Sequence, residues 1–287
     1  MQSSREADSV GQIILGATPI GNPADASARL IDWLETADLI AAEDTRRLLK
    51  LAAALEITVS GRILSYHEHN EASRTEDLIA QVRAGAKLLM VSDAGMPAVS
   101  DPGYRLVQAA IAAGVRITAI PGPSAVLTAL ALSGLPTDRF SFEGFLPRKA
   151  GERREKLLSL VNDQRTMIFF EAPHRLAVML SALADVFGPA RQAAVARELT
   201  KTFEEVLRGS LGELQDWANN SEVRGEIAVV VGGSDGAVGS VEEQVTAVLE
   251  LSESGMRLKD AVAAVAETAS LSKRELYEAV LAARTSH

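Results

Sequence analysis

The segment KLLMVSDAGMPAVSDPG at residues 87–103 decides the fold. Lys87–Ser92 reads as a buried strand, and Ser92–Gly95 and Ser100–Gly103 repeat the pattern S-D-x-G directly behind it. A loop of Gly, Pro and Asp just past a buried strand is where an open parallel sheet binds its ligand. Outward from there, Ile13–Leu15, Asp38–Ala42, Arg62–Tyr66 and Val115–Ile120 have strand character. Between them, Arg29–Leu34, Thr45–Leu55, Ala72–Ala84 and Gly103–Ala113 have helical periodicity, with Asp25 or Ser27 available to cap the first. Strand–helix alternation of this kind predicts an α/β domain whose sheet is mostly parallel, with helices on both faces.

The second half has another texture. Met167–Phe170, Ala193–Arg197, Phe203–Leu207 and Ile227–Val231 are strand-like, and Glu152–Val161 and His174–Phe187 helical. Two of these strands are separated by only a few residues, which predicts a hairpin and so a mixed sheet. Gly134-Leu135-Pro136 punctuates the chain, and Gly232–Gly239 has linker composition. Val241 to Ala283 then reads as three short helices, with Ser272 to Glu275 fitting a capping box. The expected units are an N-terminal α/β domain over 11–134, a second α/β domain over 135–233 and a helical tail over 240–287.

Composition narrows the chemistry. The 287 residues include no cysteine, which excludes disulfides, thiolate metal sites and a thiol nucleophile. No run approaches the roughly 18 apolar residues of a membrane span, and residues 1–10 are polar. The chain is therefore read as cytoplasmic. A net charge of −9 argues against a large nucleic-acid footprint and leaves room for a local basic patch.

Three strand ends of the first domain carry special loops. Gly16 to Pro23 holds two glycines and two prolines in a rigid turn; it is neither G-x-G-x-x-G nor a P-loop. The loop after Ser92 offers Asp93 as a ligand contact, whereas Asp101 is read as a cap for the helix near Gly103. Pro121 to Ala125 opens a helix on small residues, with Ser124 as a ligand contact or an N-cap. Elsewhere, Glu43, Asp44, Arg46 and Arg47 end the second strand, and a helix start with Asp44 as cap accounts for them as well as a site does. His67 and His69 form an H-x-H pair whose rings point the same way if the segment is a strand, with no third ligand, so no metal is expected. Arg148, Lys149, Arg153, Arg154 and Lys156 cluster at a helix start.

Taken together, these loops resemble the tetrapyrrole methylase superfamily. T-P-I-G-N at 18–22, A-E-D-T-R at 42–46, S-D-A-G at 92–95, S-D-P-G at 100–103, P-G-P-S-A at 121–125, E-A-P-H-R at 171–175 and R-E-L-T-K at 197–201 are similar to its ribosomal RNA small-subunit methyltransferase I branch. The resemblance implies two α/β domains with S-adenosyl-L-methionine in the cleft between them, and a homodimer. It implies cofactor contacts at Pro19, Asp93, Gly95, Met96, Ser124 and Ala125, closed over by Phe170, Ala172, Ala228 and Val229. Met96 departs from the threonine more usual in that branch. The implied activity is 2′-O-methylation of a cytidine in the decoding region of 16S rRNA, on the small ribosomal subunit.

A ribose hydroxyl is a poor nucleophile until its proton is being removed, so a base or a polarising cation is needed. Glu43, Asp44 and Lys201 are the candidate catalytic residues; Arg46, Arg47, Arg148, Lys149, Arg153 and Arg154 are the candidate RNA contacts. Two rivals stay open. A tetrapyrrole methyltransferase of the same fold would need a wide apolar cleft and no basic rim. A non-enzymatic RNA-binding module would leave the Asp93 and Ser124 loops unexplained.

Overall fold

The computed structural model describes residues 11–234, 241–269 and 271–285. The first sheet contains β1 (Gln12–Gly16), β2 (Leu39–Ala42), β3 (Arg62–Ser65), β4 (Lys87–Val91) and β5 (Arg116–Ile120), in the order β3-β2-β4-β1-β5. Every pairing in it is parallel. Its connections are α1 (Ala28–Thr36), α2 (Thr45–Ala54), α3 (Glu71–Arg83) and α4 (Tyr104–Ala112), and α5 (Ala125–Ser133) follows β5.

Strand alternation sends successive side chains to opposite faces. Ile13, Leu88 and Met90 meet Leu78 and Val82 of α3 and Leu106 of α4. Ile14, Leu89 and Val91 meet Leu30 and Leu34 of α1 and Leu48 of α2 on the other face. Of the two caps offered for α1, Ser27 serves: its hydroxyl accepts from the Leu30 amide at 3.2 Å. Asp25 lies in a preceding turn, Pro23–Asp25.

The second sheet contains β6 (Phe140–Phe145), β7 (Thr166–Glu171), β8 (Gln192–Arg197), β9 (Glu205–Ser210) and β10 (Ile227–Val231), in the order β6-β7-β10-β8-β9. It is mixed: β6 and β7 are parallel, while β8 and β9 form the expected antiparallel hairpin. Helices α6 (Ala150–Leu160), α7 (Leu176–Phe187) and α8 (Leu211–Asn220) cover one face, on which Phe169, Val195 and Val229 pack against Leu157, Leu180 and Leu214. The other face, with Ile168, Ala194, Ala196, Ala228 and Val230, is covered by Val126, Ala129 and Leu130 of α5. Thus α5, which precedes Gly134 in sequence, packs on the sheet that follows it.

Several expectations shift. The strand placed at Phe203–Leu207 runs from Glu205 to Ser210, leaving Phe203 in the turn and 73% exposed. The helix placed at His174–Phe187 opens with a tighter turn at Pro173–Arg175. β3 ends at Ser65, so His67 and His69 lie beyond the strand; their rings stand edge to face, 5.9 Å apart, rather than side by side.

The tail forms α9 (Val241–Glu253), α10 (Leu258–Thr268) and α11 (Lys273–Thr285), which share a core of Val248, Ala261, Val262, Leu276 and Val280. Ser272 caps α11 by accepting from the Glu275 amide at 3.3 Å. Residues 235–239 of the expected linker lie outside the described residues, as do residues 1–10. Among the described residues, no helix is long and apolar enough to cross a membrane.

Candidate functional site

The special loops are bonded to one another at the carboxyl ends of β1, β4 and β5. Thr18 and Gly95 form a two-way backbone bridge, with the Thr18 amide donating to Gly95 at 2.9 Å and the Gly95 amide returning at 3.1 Å. The Thr18 hydroxyl donates to the Ser92 carbonyl at 3.2 Å. Gly95 holds φ +82, a left-handed conformation that a side chain would strain. The third loop lies equally close, since a Cβ on Gly122 would come within 2.9 Å of the Ala17 Cβ.

The same first loop touches the second sheet. The Asn22 amide donates to the Thr200 hydroxyl at 3.1 Å, across 178 residues of sequence. A Cβ on Gly21 would sit 2.5 Å from the Lys201 side chain and 2.6 Å from the Thr200 hydroxyl. Ile20 and Leu199 are buried in the core that α5 and the second sheet share.

Between the two sheets these contacts leave a cleft of about 420 Å³. One wall is apolar: Ile20, Ala94, Ala125, Phe170, Ala172, Ala196, Leu199 and Ala228. Phe142 and Phe145 stack edgewise on Phe170, at 4.8 and 5.8 Å between ring centres. The other end is polar, with Glu43, Arg47, Asp93, Ser100 and Asp101.

Those carboxylates share a network. The Asp93 amide donates to Glu43 Oε2 at 3.2 Å, and the Asp44 amide donates to Asp93 Oδ1 at 3.0 Å. Arg47 Nε lies 3.4 Å from Asp93 Oδ2. Burial raises both Glu43 and Asp93 above the ordinary carboxylate range, against the lowering effect of those amides and Arg47. Asp101 moves furthest. Burial, then the nearby charges of Glu43 and Asp93, push it up to about 7, and a hydrogen bond with Ser92 offsets only part of this. The cap reading of Asp101 is corrected: Gly103 is the N-cap of α4, with no side-chain cap bond, and Asp101 lines the cleft.

Of the candidate cofactor contacts, Asp93, Ala125, Phe170, Ala172 and Ala228 line the cleft; Pro19, Gly95, Met96, Ser124 and Val229 do not. Pro19 and Gly95 are buried in the bonded loops, and Met96 is half-buried. Ser124 is the N-cap of α5, accepting from the Leu127 amide at 3.5 Å. The Val229 side chain packs in the opposite core, as strand alternation demands.

Of the candidate catalytic residues, Glu43 lines the cleft. Asp44 caps α2 and binds the Arg46 side chain at 2.9 Å, and those hydrogen bonds hold its carboxyl down at about 2. Lys201 pairs with Glu198 at 2.8 Å and Glu226 at 3.1 Å. Burial pulls its ammonium down, but the two carboxylates outweigh that and hold it above its usual range.

Among the RNA candidates, Arg47 reaches the cleft. Arg148 and Arg153 line an adjoining groove with His174 and Arg175, and Glu171 belongs to both hollows. Lys149 pairs with Glu152 at 2.8 Å, Arg46 is 86% exposed beside Asp44, and Arg154 is exposed. Among the described residues, no group of three or more His, Cys, Asp or Glu could hold a metal ion. Sequence reasoning missed Asp101, Phe145 and Glu226 as lining residues. For Asp101 the signal existed, because the second S-D-x-G repeats the unit whose first aspartate was singled out.

A family model described as Tetrapyrrole (Corrin/Porphyrin) Methylases matches residues 12–215, and one described as RsmI C-terminal HTH domain matches residues 239–284. The chain is 51% identical over 283 residues to ribosomal RNA small subunit methyltransferase I of Mycobacterium bovis, covering 96% of each. It is 40% identical to the Escherichia coli protein of that name, covering 98% of this chain and 99% of the other. Uroporphyrin-III C-methyltransferase from Thermus thermophilus, solved with S-adenyl homocysteine, superposes with a TM-score of 0.56 at 19% identity, over 77% of this chain and 97% of that one.

Proposed function

The chain belongs to the tetrapyrrole methylase family, and on that premise we propose that it moves a methyl group from S-adenosyl-L-methionine to the 2′-hydroxyl of a cytidine in small-subunit ribosomal RNA. The likeness over nearly full length to the small-subunit rRNA methyltransferase I of Mycobacterium bovis carries the reading. The cytidine and its 2′-oxygen come from the motif resemblance alone.

The cleft's chemistry fits that cofactor. Its apolar wall of Ala125, Phe170, Ala172 and Ala228 suits an adenine ring, and Asp93 suits a cationic amino-acid end. When bound, S-adenosyl-L-methionine supplies an electrophilic methyl group on a sulfonium. The protein's task is alignment, because in-line displacement gains most from holding the reacting atoms in place. In this reading Glu43 stands at the reacting end of the cleft. Asp44 orients α2 and Arg46, and Lys201 fixes the second sheet against the first loop. The Pro19, Gly95, Met96 and Ser124 loops shape the pocket through their backbones, and Val229 sets the register of β10.

On the RNA side, Arg47 stands inside the cleft, and Arg148 and Arg153 line the adjoining groove. They are proposed to hold phosphates, with Arg46, Lys149 and Arg154 at the rim. Phe145 lines the cleft and is 57% exposed, offering an aromatic face to an unstacked base. A non-helical RNA segment presented by the assembled subunit is the matching substrate. A two-fold dimer belongs to the same reading, and light scattering at micromolar concentration checks it. The activity is tested by incubating purified protein and labelled cofactor with unmethylated small subunits. Label in ribosomal RNA supports the proposal; label only in a porphyrinoid extract replaces it with the tetrapyrrole reading.

A further inference from the structure

We infer that the groove beside the cleft is a phosphodiester subsite, taking the phosphate next to the methylated ribose. Arg148 and Arg153 hold that phosphate, and Glu171 with Arg175 forms the wall it lies against. This rests on the RNA reading above and gives it a strand path, with the target ribose in the cleft and its neighbouring phosphate in the groove. No bond forms or breaks there; the subsite fixes where the strand lies.

Ion pairing separates these two arginines from their neighbours. Lys149 pairs with Glu152 and Lys156 with Glu143, each at 2.8 Å, and Arg175 Nε lies 3.3 Å from Glu171 Oε1. Among the described residues, Arg148 and Arg153 have no carboxylate within ion-pair distance, and both line the groove. Arg153 is braced by backbone, because its Nη1 donates to the Arg148 carbonyl at 3.1 Å and to the Pro147 carbonyl at 3.4 Å. Its Nε is buried without a partner, so Nη1 alone is engaged among the described residues. A guanidinium fork with uncommitted donors, free of any counter-ion, suits an anion that offers several acceptor oxygens.

The wall explains why a carboxylate there does not repel a phosphate. Glu171 lines both hollows, yet its side chain is 1% exposed. Its Oε1 accepts from the Ala172 amide at 2.9 Å and faces Arg175, which answers the charge within the wall. Arg175 Nη2 donates to the Leu146 carbonyl at 2.8 Å, joining the end of β7 to the end of β6. His174 adds a ring that can donate a hydrogen bond into the same groove. The groove has about 420 Å³, ample for a phosphate group. Two hollows with a shared wall residue suit consecutive groups of one unstacked strand, the form in which a specific nucleotide of RNA is usually read.

The test reads the salt dependence of binding. Small subunits are bound to wild type and variants by filter retention, with S-adenosyl homocysteine present, over about 50–200 mM potassium chloride. Methylation kinetics are measured alongside. Each phosphate contact on a single strand contributes about 0.7 to the slope of log K against log salt. Changing Arg148→Gln and Arg153→Gln together should flatten the slope by about that amount and weaken binding about tenfold to a hundredfold. The loss should fall on KM rather than kcat, at unchanged cofactor affinity. Arg148→Lys with Arg153→Lys keeps both charges and should restore the slope with part of the affinity. Arg116 is exposed at the start of β5, the end away from the ligand loops, and Arg116→Gln should leave the slope as it is. A wild-type slope in the double glutamine variant overturns the subsite, as does equal flattening in Arg116→Gln or a loss confined to kcat. Failure of wild type to bind and methylate small subunits overturns the RNA reading instead, and the subsite falls with it.

Discussion

The Asn22 amide donates to the Thr200 hydroxyl at 3.1 Å, so the turn after the first strand is tied to the turn of the β8–β9 hairpin. Gly21, next to this bond, has no room for a side chain between Leu199, Thr200 and Lys201. The cleft between the sheets therefore depends on a close backbone approach at one point. Gly21→Ala should force the two loops apart, at a cost of about 1–3 kcal/mol typical of overpacking. A lower melting temperature together with weaker cofactor binding is expected in thermal unfolding and calorimetry.

Asp93 joins Asp44 and Arg47 at the polar end. Cofactor present at about 100 times its Kd should stabilise the wild type by about 2.7 kcal/mol through mass action. Asp93→Ala should weaken binding about tenfold to a hundredfold, as expected for losing a charged hydrogen-bonding partner. A thermal shift that is unchanged in Asp93→Ala would move the cofactor out of this cleft.

Asp101 also links the site to stability. Its folded carboxyl is raised to about 7 from an ordinary 3.8, so between those values the folded state holds a proton that the unfolded state has released. Stability must then fall as pH rises through that window, and the penalty is complete above it. Because the carboxyl is partly solvated, the effect is on the order of 1 kcal/mol after screening. Asp101→Asn should be more stable than wild type at pH 8 and nearly equal to it at pH 4, measured by urea unfolding.

The sequence made the first sheet readable because each of its strands is a short apolar run followed by a helix of the right period. The hairpin was visible for a similar reason, in the close spacing of β8 and β9. β6 was missed because Ser141, Glu143 and Gly144 interrupt its apolar pattern, and a register shift between Phe142 and Gly144 absorbs the irregularity. α8 was missed although Ser210 and Glu213 form a complete capping box at its start, a signature written in the sequence. At the site, Asp44 immediately precedes α2 and caps it, whereas Asp101 lies three residues ahead of α4, where Gly103 takes the cap position. Which aspartate turns back to the amides and which faces the cleft is set by backbone angles and by packing across the two sheets, and local spacing carries neither.

The tail has a core of its own, formed by α9, α10 and α11. Ending the chain at Gly239 should leave cofactor affinity intact and reduce methylation of small subunits. Equal activity in the shortened protein would make the tail a structural cap.

Methylation of a ribose of small-subunit RNA in this cleft can be tested directly. The direct measurement is incubation of purified protein and methyl-labelled cofactor with small subunits from a methylase-deficient strain, followed by nuclease mapping of the label. Label is expected on the 2′-oxygen of one cytidine in a non-helical decoding-site segment. A shallow salt dependence is expected too, because the net charge of −9 confines RNA contact to a local patch, and a marked loss when Arg153 and Arg154 are both changed to Glu. Label on a base, or on a porphyrinoid and not on RNA, would contradict ribose methylation.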